Sequence, residues 1–465
     1  MLNKLGEHLT QAFLKYMPHA FVFAILLTLV TAVTSYAWLD TSPLEIISAW
    51  YDGFFDLLGF AMQIVLIIIT GFSIALSPII KKGIDGLARY IKSPTQVYFL
   101  VVFIGMLLSL ISFGWVVITA VLARELAMRV KNINYPFLIG CVYISMNSWV
   151  MGLSSSIPLL LNSEKNYLIE SGVLENTIAT PYTLGSSLNI AMILLFVVGA
   201  PLLLLLLKPR KIQQKELKDF ITNNAIEDEQ SIKEEALSLK LPFKSLSDKL
   251  NNSIILQMII VAMGLTYIIY HFKTKGLDLN FNIMIFIFLI VGLLLHKTPI
   301  RYAISMKRSS SNISGILFQY PFYAGIMGIM LYTGLGAKLG EVLASIATAE
   351  TYPFFAYLTG GIVNFAIPSA GGEFAVVGPS IINAVKEIGS GLPQEEVTAM
   401  ISRASMSVAY GESLSNLLQP FYMLIIMPIM AAGTKLQERD VMGYLVIPFL
   451  VFFILQSVMV VYWPM

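Results

Sequence analysis

The chain has 465 residues, of which 57% are hydrophobic and 12% are charged, whereas ordinary soluble domains carry roughly 25% charged residues. This composition excludes a water-soluble surface, and a net charge of +2 with basic residues in short clusters argues against nucleic-acid binding. Cys141 is the one cysteine and the four histidines are scattered, so the sequence predicts neither a disulfide framework nor a metal site.

Apolar runs long enough to cross a bilayer recur along the chain. The first run, 18–39, exceeds the apolar core of a secretory signal and has no convincing cleavage site after it, so we interpret it as a retained span. A membrane-spanning helix needs about 20 apolar residues. On that basis about nine full spans are predicted, at 18–39, 54–80, 136–160, 186–207, 252–271, 279–296, 313–336, 397–431 and 442–462.

Two further apolar stretches are interrupted in the middle. The stretch 96–126 breaks at Ser112-Phe113-Gly114, and the stretch 353–387 breaks at Pro368-Ser369-Ala370-Gly371-Gly372. Each half is short for a full crossing. Basic residues flank both ends of the first stretch, which places both ends in the cytoplasm and predicts a re-entrant hairpin. These residues are Lys81, Lys82, Arg89, Lys92, Arg124, Arg129 and Lys131.

The charges of the loops orient the rest of the chain. The acidic segment 40–53 is placed outside, and the loops 208–250 and 297–311, which contain Lys and Arg, are placed inside. The second hairpin then opens on the outside, with the N-terminus cytoplasmic and the C-terminus outside. The prediction is an all-α polytopic membrane protein with two inverted-topology repeats. Its parts are a first repeat at 1–207 with hairpin 96–126, a charged cytoplasmic linker at 208–251, a connecting span at 252–271, and a second repeat at 272–465 with hairpin 353–387.

The two hairpin tips and the polar spans that follow them form the candidate substrate site. Irregular backbone at membrane depth must be buried in protein or line a cavity, and a helix that begins at a tip offers free amides and partial positive charge to a carboxylate. The candidate substrate-binding residues are Ser112, Gly114, Asn147, Ser148, Ser369, Gly371, Gly372, Glu412, Ser413 and Asn416. The alternative is that these residues merely kink packed helices and join them by hydrogen bonds.

Glu412 lies within an apolar span, where a carboxylate is costly unless it is paired, protonated or functional. We therefore predict that Glu412, together with Asn364 and Glu373 at the second hairpin, serves a coupling ion, either H⁺ or Na⁺. The structural alternative for Glu412 is an ion pair with Arg403 or with another buried partner. The same kind of alternative applies to Glu373, which is expected to lie closer to an exposed turn.

Enzymatic function lacks support in the sequence. The string Gly371-Gly372-Glu373-Phe374 spells the short signature of diguanylate cyclases, but it is flanked by apolar membrane sequence instead of a soluble nucleotide-binding domain. Walker A, HExxH and GxSxG motifs do not occur in the chain. We expect a non-enzymatic protein without a cofactor.

Four groups of residues resemble the short-chain fatty acid transporter family, the permeases associated with bacterial acetoacetate and butyrate use. The resemblance runs nearly end to end. It is sharpest at Leu295-His296-Lys297-Thr298-Pro299, at Gln319-Tyr320-Pro321-Phe322-Tyr323-Ala324-Gly325-Ile326, at 364–372, and at Ala409-Tyr410-Gly411-Glu412 followed by Gln419-Pro420-Phe421. It implies uptake of short monocarboxylates across the bacterial inner membrane and kinship with ion-coupled transporters that use an elevator-like movement.

Our leading interpretation is a secondary transporter for short-chain carboxylates, driven by a proton or sodium gradient. The expected partners are the carboxylate and the lipid bilayer, with no nucleic acid, and a homodimer is left open. The alternatives are a transporter for another small carboxylate, a passive anion channel, which also uses broken helices and a polar interior, and a membrane-embedded enzyme or sensor.

Overall fold

The computed structural model is all-helical over the residues that it describes, which confirms the predicted class. These residues are 15, 19–56, 58–163, 166–170, 172–209, 216–221, 231–241, 243, 245–276, 281–310 and 313–464. Within them, the β-structure is an isolated bridge between Ile221 and Thr434.

The helices before the charged linker are α1 (Ala20–Leu39), α2 (Pro43–Asp56), α3 (Leu58–Ala75), α4 (Pro78–Ala88), α5 (Pro94–Ile111), α6 (Val116–Arg129), α7 (Tyr135–Ser145), α8 (Ser156–Leu161), α9 (Tyr167–Glu170), α10 (Ser187–Leu194) and α11 (Ala200–Leu207). The linker contains α12 (Ile232–Ser238) and α13 (Leu246–Asn251). The remaining helices are α14 (Ile254–Lys275), α15 (Phe281–His296), α16 (Pro299–Ser310), α17 (Ser314–Tyr332), α18 (Leu335–Ser345), α19 (Tyr352–Val363), α20 (Ala370–Ile388), α21 (Gln394–Ser415), α22 (Met423–Met430), α23 (Arg439–Met442) and α24 (Val446–Tyr462).

By length and composition, six described helical segments could cross a bilayer, and counting each of two bent pairs as one span raises the number to eight. The bent pairs are Leu317–Tyr332 with Leu335–Val342 and Gln394–Leu418 with Met423–Met430. The predicted span 279–296 contains the apolar helix Asn282–His296, which is shorter than the six. The chain therefore has the helices of a multi-pass membrane protein.

The long helices begin where the sequence supplies capping groups. Ser93 and Gln96 form a capping box at the start of α5, with Pro94 at the first helical position, where its missing N–H costs no hydrogen bond. The Asn134 side chain accepts a hydrogen bond from the Phe137 amide at the start of α7. Local sequence thus sets both helix starts at this end of the first hairpin.

The first broken stretch folds as a helical hairpin. Helix α5 runs parallel to α7, because the Asn134 amide donates to the Tyr98 hydroxyl near their starts and the Leu153 amide donates to the Leu110 carbonyl at the far end, both at 2.8 Å. Helix α6, between them, must return toward the starting end. The tip at 112–115 reaches the level of Leu153, and α8 continues beyond it.

The second broken stretch has the same construction. Helix α19 packs along α21 so closely that a Cβ atom on Gly360 would lie 2.2 Å from the Val408 carbonyl oxygen. Four residues further on, the Asn364 amide group donates to Ser415 Oγ at 2.7 Å, so α19 and α21 are parallel. Helix α20 returns from the tip, where Pro368 lacks an N–H and restricts the residue before it.

The two hairpins open toward opposite ends of the molecule. The Tyr135 hydroxyl, at the base of the first hairpin, donates to the Met430 carbonyl at 2.6 Å, which places the end of α22 there. The segment that follows α8 returns to its end, where the Ile178 amide donates to the Leu161 carbonyl oxygen at 2.8 Å. Tyr182 in this segment donates its hydroxyl to Glu395 Oε1 at 3.3 Å, and Glu395 lies at the start of α21, beside the base of the second hairpin. The segment from α21 to α22 therefore runs antiparallel to the segment from α7 to α8.

Candidate functional site

Each long polar segment breaks beside a hairpin tip, and each break begins at an asparagine. Helix α7 passes into the 3₁₀ turn Asn147–Met151, and α21 passes into the 3₁₀ turn Asn416–Leu418. Four residues before these asparagines stand Tyr143 and Glu412. All four side chains are buried, so the two breaks bring polar groups into the interior of the molecule.

A reciprocal pair of hydrogen bonds joins the two breaks. Asn147 Nδ2 donates to the Ser413 carbonyl oxygen, and Ser413 Oγ donates to the Asn147 carbonyl oxygen, each at 3.0 Å. The Tyr143 hydroxyl adds contacts of 2.8 and 2.9 Å to the carbonyl oxygens of Asn416 and Gln419. Carbonyls released by the second break are thereby satisfied from the first half of the chain.

Asn364, at the end of α19, connects the second tip to the second break. Its Nδ2 donates to the Glu412 carbonyl oxygen, to Ser415 Oγ and to Asn416 Oδ1, at 3.0, 2.7 and 3.0 Å. Gln419 Nε2 returns two hydrogen bonds, to the Asn364 carbonyl oxygen at 3.0 Å and to Asn416 Oδ1 at 2.9 Å. We call Asn147, Asn364, Glu412, Ser413, Asn416 and Gln419 the buried polar cluster.

Glu412 is 0% exposed in this cluster. Its Oε1 accepts a hydrogen bond from Asn416 Nδ2 at 3.3 Å, whereas Oε2 has no partner. Arg403 is not its counterion, because the guanidinium donates to carbonyl oxygens at the end of α24, including that of Val460 at 3.0 Å. The ion-pair alternative for Glu412 is therefore wrong.

The buried polar cluster presents acceptor atoms without donors. Asn364 Oδ1, Gln419 Oε1 and Glu412 Oε2 are buried and have no hydrogen-bond partner. Oxygen atoms of this kind suit a proton or a hard cation. Across the described ranges, no group of three or more His, Cys, Asp or Glu residues is placed to hold a metal ion.

The second tip exposes the amino-terminal end of α20 to the protein interior. Ser369 is the N-cap residue, but its side chain makes no capping hydrogen bond. Within the described part of the chain, the amides of Gly371 and Gly372 have no hydrogen-bond acceptor. The Ser156 hydroxyl, buried and unpartnered, lies 3.7 Å from the position that a Cβ atom on Gly371 would take.

At the first tip, Phe113 is held by side chains of the segments packed against it. The Phe113 amide donates to Ser154 Oγ at 2.9 Å, and the Phe113 ring packs against Trp149 and Tyr422. Of the predicted residues here, Ser112 and Gly114 are buried at the tip, and Ser148 Oγ donates to the Met106 carbonyl oxygen at 2.8 Å. The described polar contact of Ser148 thus remains within the first half.

Three cavities in the described part of the molecule lie toward the end at which the second hairpin opens. The first, of about 830 Å³, is lined by residues that include Leu153 and Thr180, and the second, of about 370 Å³, by residues that include Glu175 and Lys386. The third, of about 720 Å³, is lined by residues that include Glu341 and Lys386. Glu373 and the residues of the buried polar cluster do not line these three cavities.

Sequence reasoning did not include Tyr143, Ser154, Ser156 or Gln419 among the site residues. One signal for Tyr143 was available, because it precedes Asn147 by the same four residues that separate Glu412 from Asn416. The hydrogen bonds of Ser154 and Gln419 and the place of Ser156 beside Gly371 depend on contacts between the hairpins and the following segments, which the linear sequence does not contain.

Comparison with known proteins gives consistent matches over the whole chain. Residues 1–463 match the model of a family described as "Short chain fatty acid transporter". The chain is 31% identical to a "Putative short-chain fatty acid transporter" of Haemophilus influenzae and 33% identical to a protein of the same name of Escherichia coli, with 96% of each chain covered in both cases. Among solved structures, the Alcanivorax borkumensis YdaH transporter aligns over 98% of both chains with 16% identity and a TM-score of 0.41, a similarity too low to establish the fold.

Proposed function

The chain belongs to the short-chain fatty acid transporter family, and from this premise we propose that it is a secondary active transporter for a short monocarboxylate such as acetoacetate or butyrate. It works in the bacterial cytoplasmic membrane and is driven by a proton or sodium gradient. Transport is common to the names of the family and of both relatives. The substrate, the driving ion and the membrane are our proposals.

Two inverted repeats are the architecture that we propose for this transport. The support is that both hairpins have one construction, open toward opposite ends, and place each tip beside a break that begins at an asparagine. Nine spans and two re-entrant hairpins fit this arrangement, with the N-terminus in the cytoplasm and the C-terminus outside. Such repeats serve alternating access around a site near the membrane midplane.

The observation that carries the proposal is the open start of α20 at the second tip. Three features coincide there: an N-cap serine that does not cap, two glycines with free amides, and the unpartnered hydroxyl of Ser156. A helix start with free amides is a favourable site for a carboxylate, and the buried location excludes competing water. The substrate carboxylate binds here, with the coupling ion at Glu412, Asn364 or Glu373 nearby.

Counterflow in proteoliposomes tests the proposal. Vesicles loaded with unlabelled butyrate should accumulate external labelled butyrate transiently, at an alkaline pH that keeps the free acid from crossing the lipid, and protein-free vesicles supply the control. A carrier exchanges solute without net current. A current without exchange would instead indicate a channel, and a lack of movement of any short monocarboxylate would contradict the proposal.

A further inference from the structure

Glu373 is the most isolated acid described in the molecule. It lies in the first turn of α20, is 0% exposed, and neither carboxylate oxygen has a hydrogen-bond partner. Its own amide is held by the Ser369 carbonyl oxygen at 2.7 Å, so the residue is fixed at the helix start. A buried carboxylate without partners is very unfavourable when ionised. The conformation described here therefore holds Glu373 in its neutral, protonated form.

The helices packed against α20 bring no described ion-pair partner to Glu373. They are α8, α18, α19 and α21, and Met327 of α17 lies beside Gly372. Glu412 of α21 is likewise a buried acid, so it offers Glu373 no positive charge. The other titratable or charged residues on these helices are Tyr320, Tyr323 and Tyr332 of α17, Lys338 and Glu341 of α18, Tyr352 and Tyr357 of α19, and Glu395, Glu396, Arg403 and Tyr410 of α21. Lys338 Nζ and Glu341 Oε2 lie 3.4 Å apart.

The position of Glu373 sets it in competition with an anionic substrate. The free amides at the start of α20 form one region of partial positive charge, and this favourable effect falls off within the first turn. An ionised Glu373 neutralises that region from within and repels a second carboxylate at the same place. A protonated Glu373 does neither. Occupation by the substrate anion and ionisation of Glu373 therefore exclude each other.

We propose that Glu373 carries the coupling proton, and that its protonation is the condition for binding of the substrate carboxylate at the start of α20. This inference rests on the proposed function, which places the substrate there. Asn416 and the buried polar cluster hold Glu412 in place, so that Glu412 serves to shape the site.

The cycle balances in atoms and charge. A proton from the side of higher proton concentration binds a Glu373 carboxylate oxygen, and the substrate anion then binds the amides of Gly371 and Gly372. The loaded site, with neutral Glu373 and the bound anion, carries one negative charge, and so does the empty site, with ionised Glu373. One complete cycle therefore moves one H⁺ and one carboxylate without net charge. On the far side the anion leaves, Glu373 ionises, and the proton passes to water. Return of the empty carrier requires no further reactant.

Equilibrium binding of labelled butyrate to the purified full-length protein tests the inference between pH 6 and pH 9. In the wild type, the apparent Kd should rise with pH and approach a tenfold increase per pH unit at the alkaline end, because affinity scales with the protonated fraction. Glu373→Gln should bind with an affinity that is nearly independent of pH. Glu387→Gln, an exposed glutamate on the same helix, is the matched control and should keep the wild-type slope.

Several outcomes would overturn the inference. They are a wild-type Kd that responds to sodium but not to pH, an unchanged slope in Glu373→Gln, or loss of the slope in Glu412→Gln but not in Glu373→Gln. If Glu373→Gln does not fold, charge movement by wild-type proteoliposomes decides: electroneutral uptake agrees with the inference, and inward positive current contradicts it. Absence of butyrate binding and of counterflow for every short monocarboxylate would instead refute the proposed function itself.

Discussion

Replacing Gly411 by alanine should loosen the contact between the second hairpin and α21. A Cβ atom at this position would lie 1.9 Å from the Tyr357 carbonyl oxygen and 2.9 Å from the Gly361 nitrogen. Atoms in favourable contact are about 3.5–4.0 Å apart, and both neighbours are backbone atoms, which cannot rotate away as a side chain can. Overpacking of this kind costs about 1–3 kcal/mol, occasionally more, and we expect the upper part of that range.

The damage should extend from stability to transport. Separation of α19 from α21 would stretch the three hydrogen bonds that Asn364 Nδ2 makes to Glu412, Ser415 and Asn416. Fluorescence-detected thermal unfolding in detergent should therefore show a lower apparent Tm for Gly411→Ala. Counterflow in proteoliposomes should show reduced exchange at equal protein content.

Gly361→Ala supplies the matched control from the same helix contact. Its Cβ would meet the Gly411 carbonyl oxygen at 3.6 Å, an ordinary contact, and alanine favours a helix over glycine by about 1 kcal/mol. This variant should unfold at or slightly above the wild-type temperature. Equal Tm values and equal exchange for Gly411→Ala and Gly361→Ala would refute the reasoning from backbone clearance.

Three further predictions concern the tips and the orientation. Gly372→Ala should retain transport, because its Cβ would meet no atom closer than 3.5 Å, whereas Gly372→Val should strongly reduce uptake without loss of membrane insertion. Equal uptake by the two variants would show that Gly372 is not part of the site. Asn147→Ala and Ser413→Ala should each lower the apparent Tm, and their double mutant should lose less than the sum, with a coupling of about 0.5–3 kcal/mol; strict additivity would contradict the reciprocal hydrogen bonds. A cysteine at Lys131 should react with an impermeant thiol reagent from the cytoplasmic side, and labelling from outside would overturn the orientation of the first hairpin.

The sequence predicts best those features that depend on neighbouring residues. The all-helical class and the family are confirmed, because the long apolar runs and the motifs that resemble the family can be read directly from the sequence. Helix α5 ends at Ile111, directly before the predicted break at Ser112. Helix α19 ends at Val363, before the predicted break at Pro368, and proline disfavours helix through its effect on the local backbone.

Partners that are distant in sequence were beyond prediction. Asn147 and Ser413 are 266 residues apart and meet through packing of the two halves. The alternative of an ion pair between Arg403 and Glu412 fails for a simple geometric reason: nine residues along a helix are about two and a half turns, which puts the two side chains on opposite sides of α21. Arg403 accordingly binds carbonyls of α24 instead.

At the first tip, the Ser154 hydroxyl of the chain itself accepts a hydrogen bond from the Phe113 amide. The corresponding place at the second tip has no such resident group, since Ser369 leaves its helix uncapped. The two hairpins are therefore alike in backbone plan but unlike in chemistry: a hydroxyl of the chain occupies one position at the first tip, whereas the proposed solute would occupy the corresponding position at the second. Under the proposed function, the substrate would thus complete one tip, and the other tip would keep the same internal contact whether or not substrate is bound.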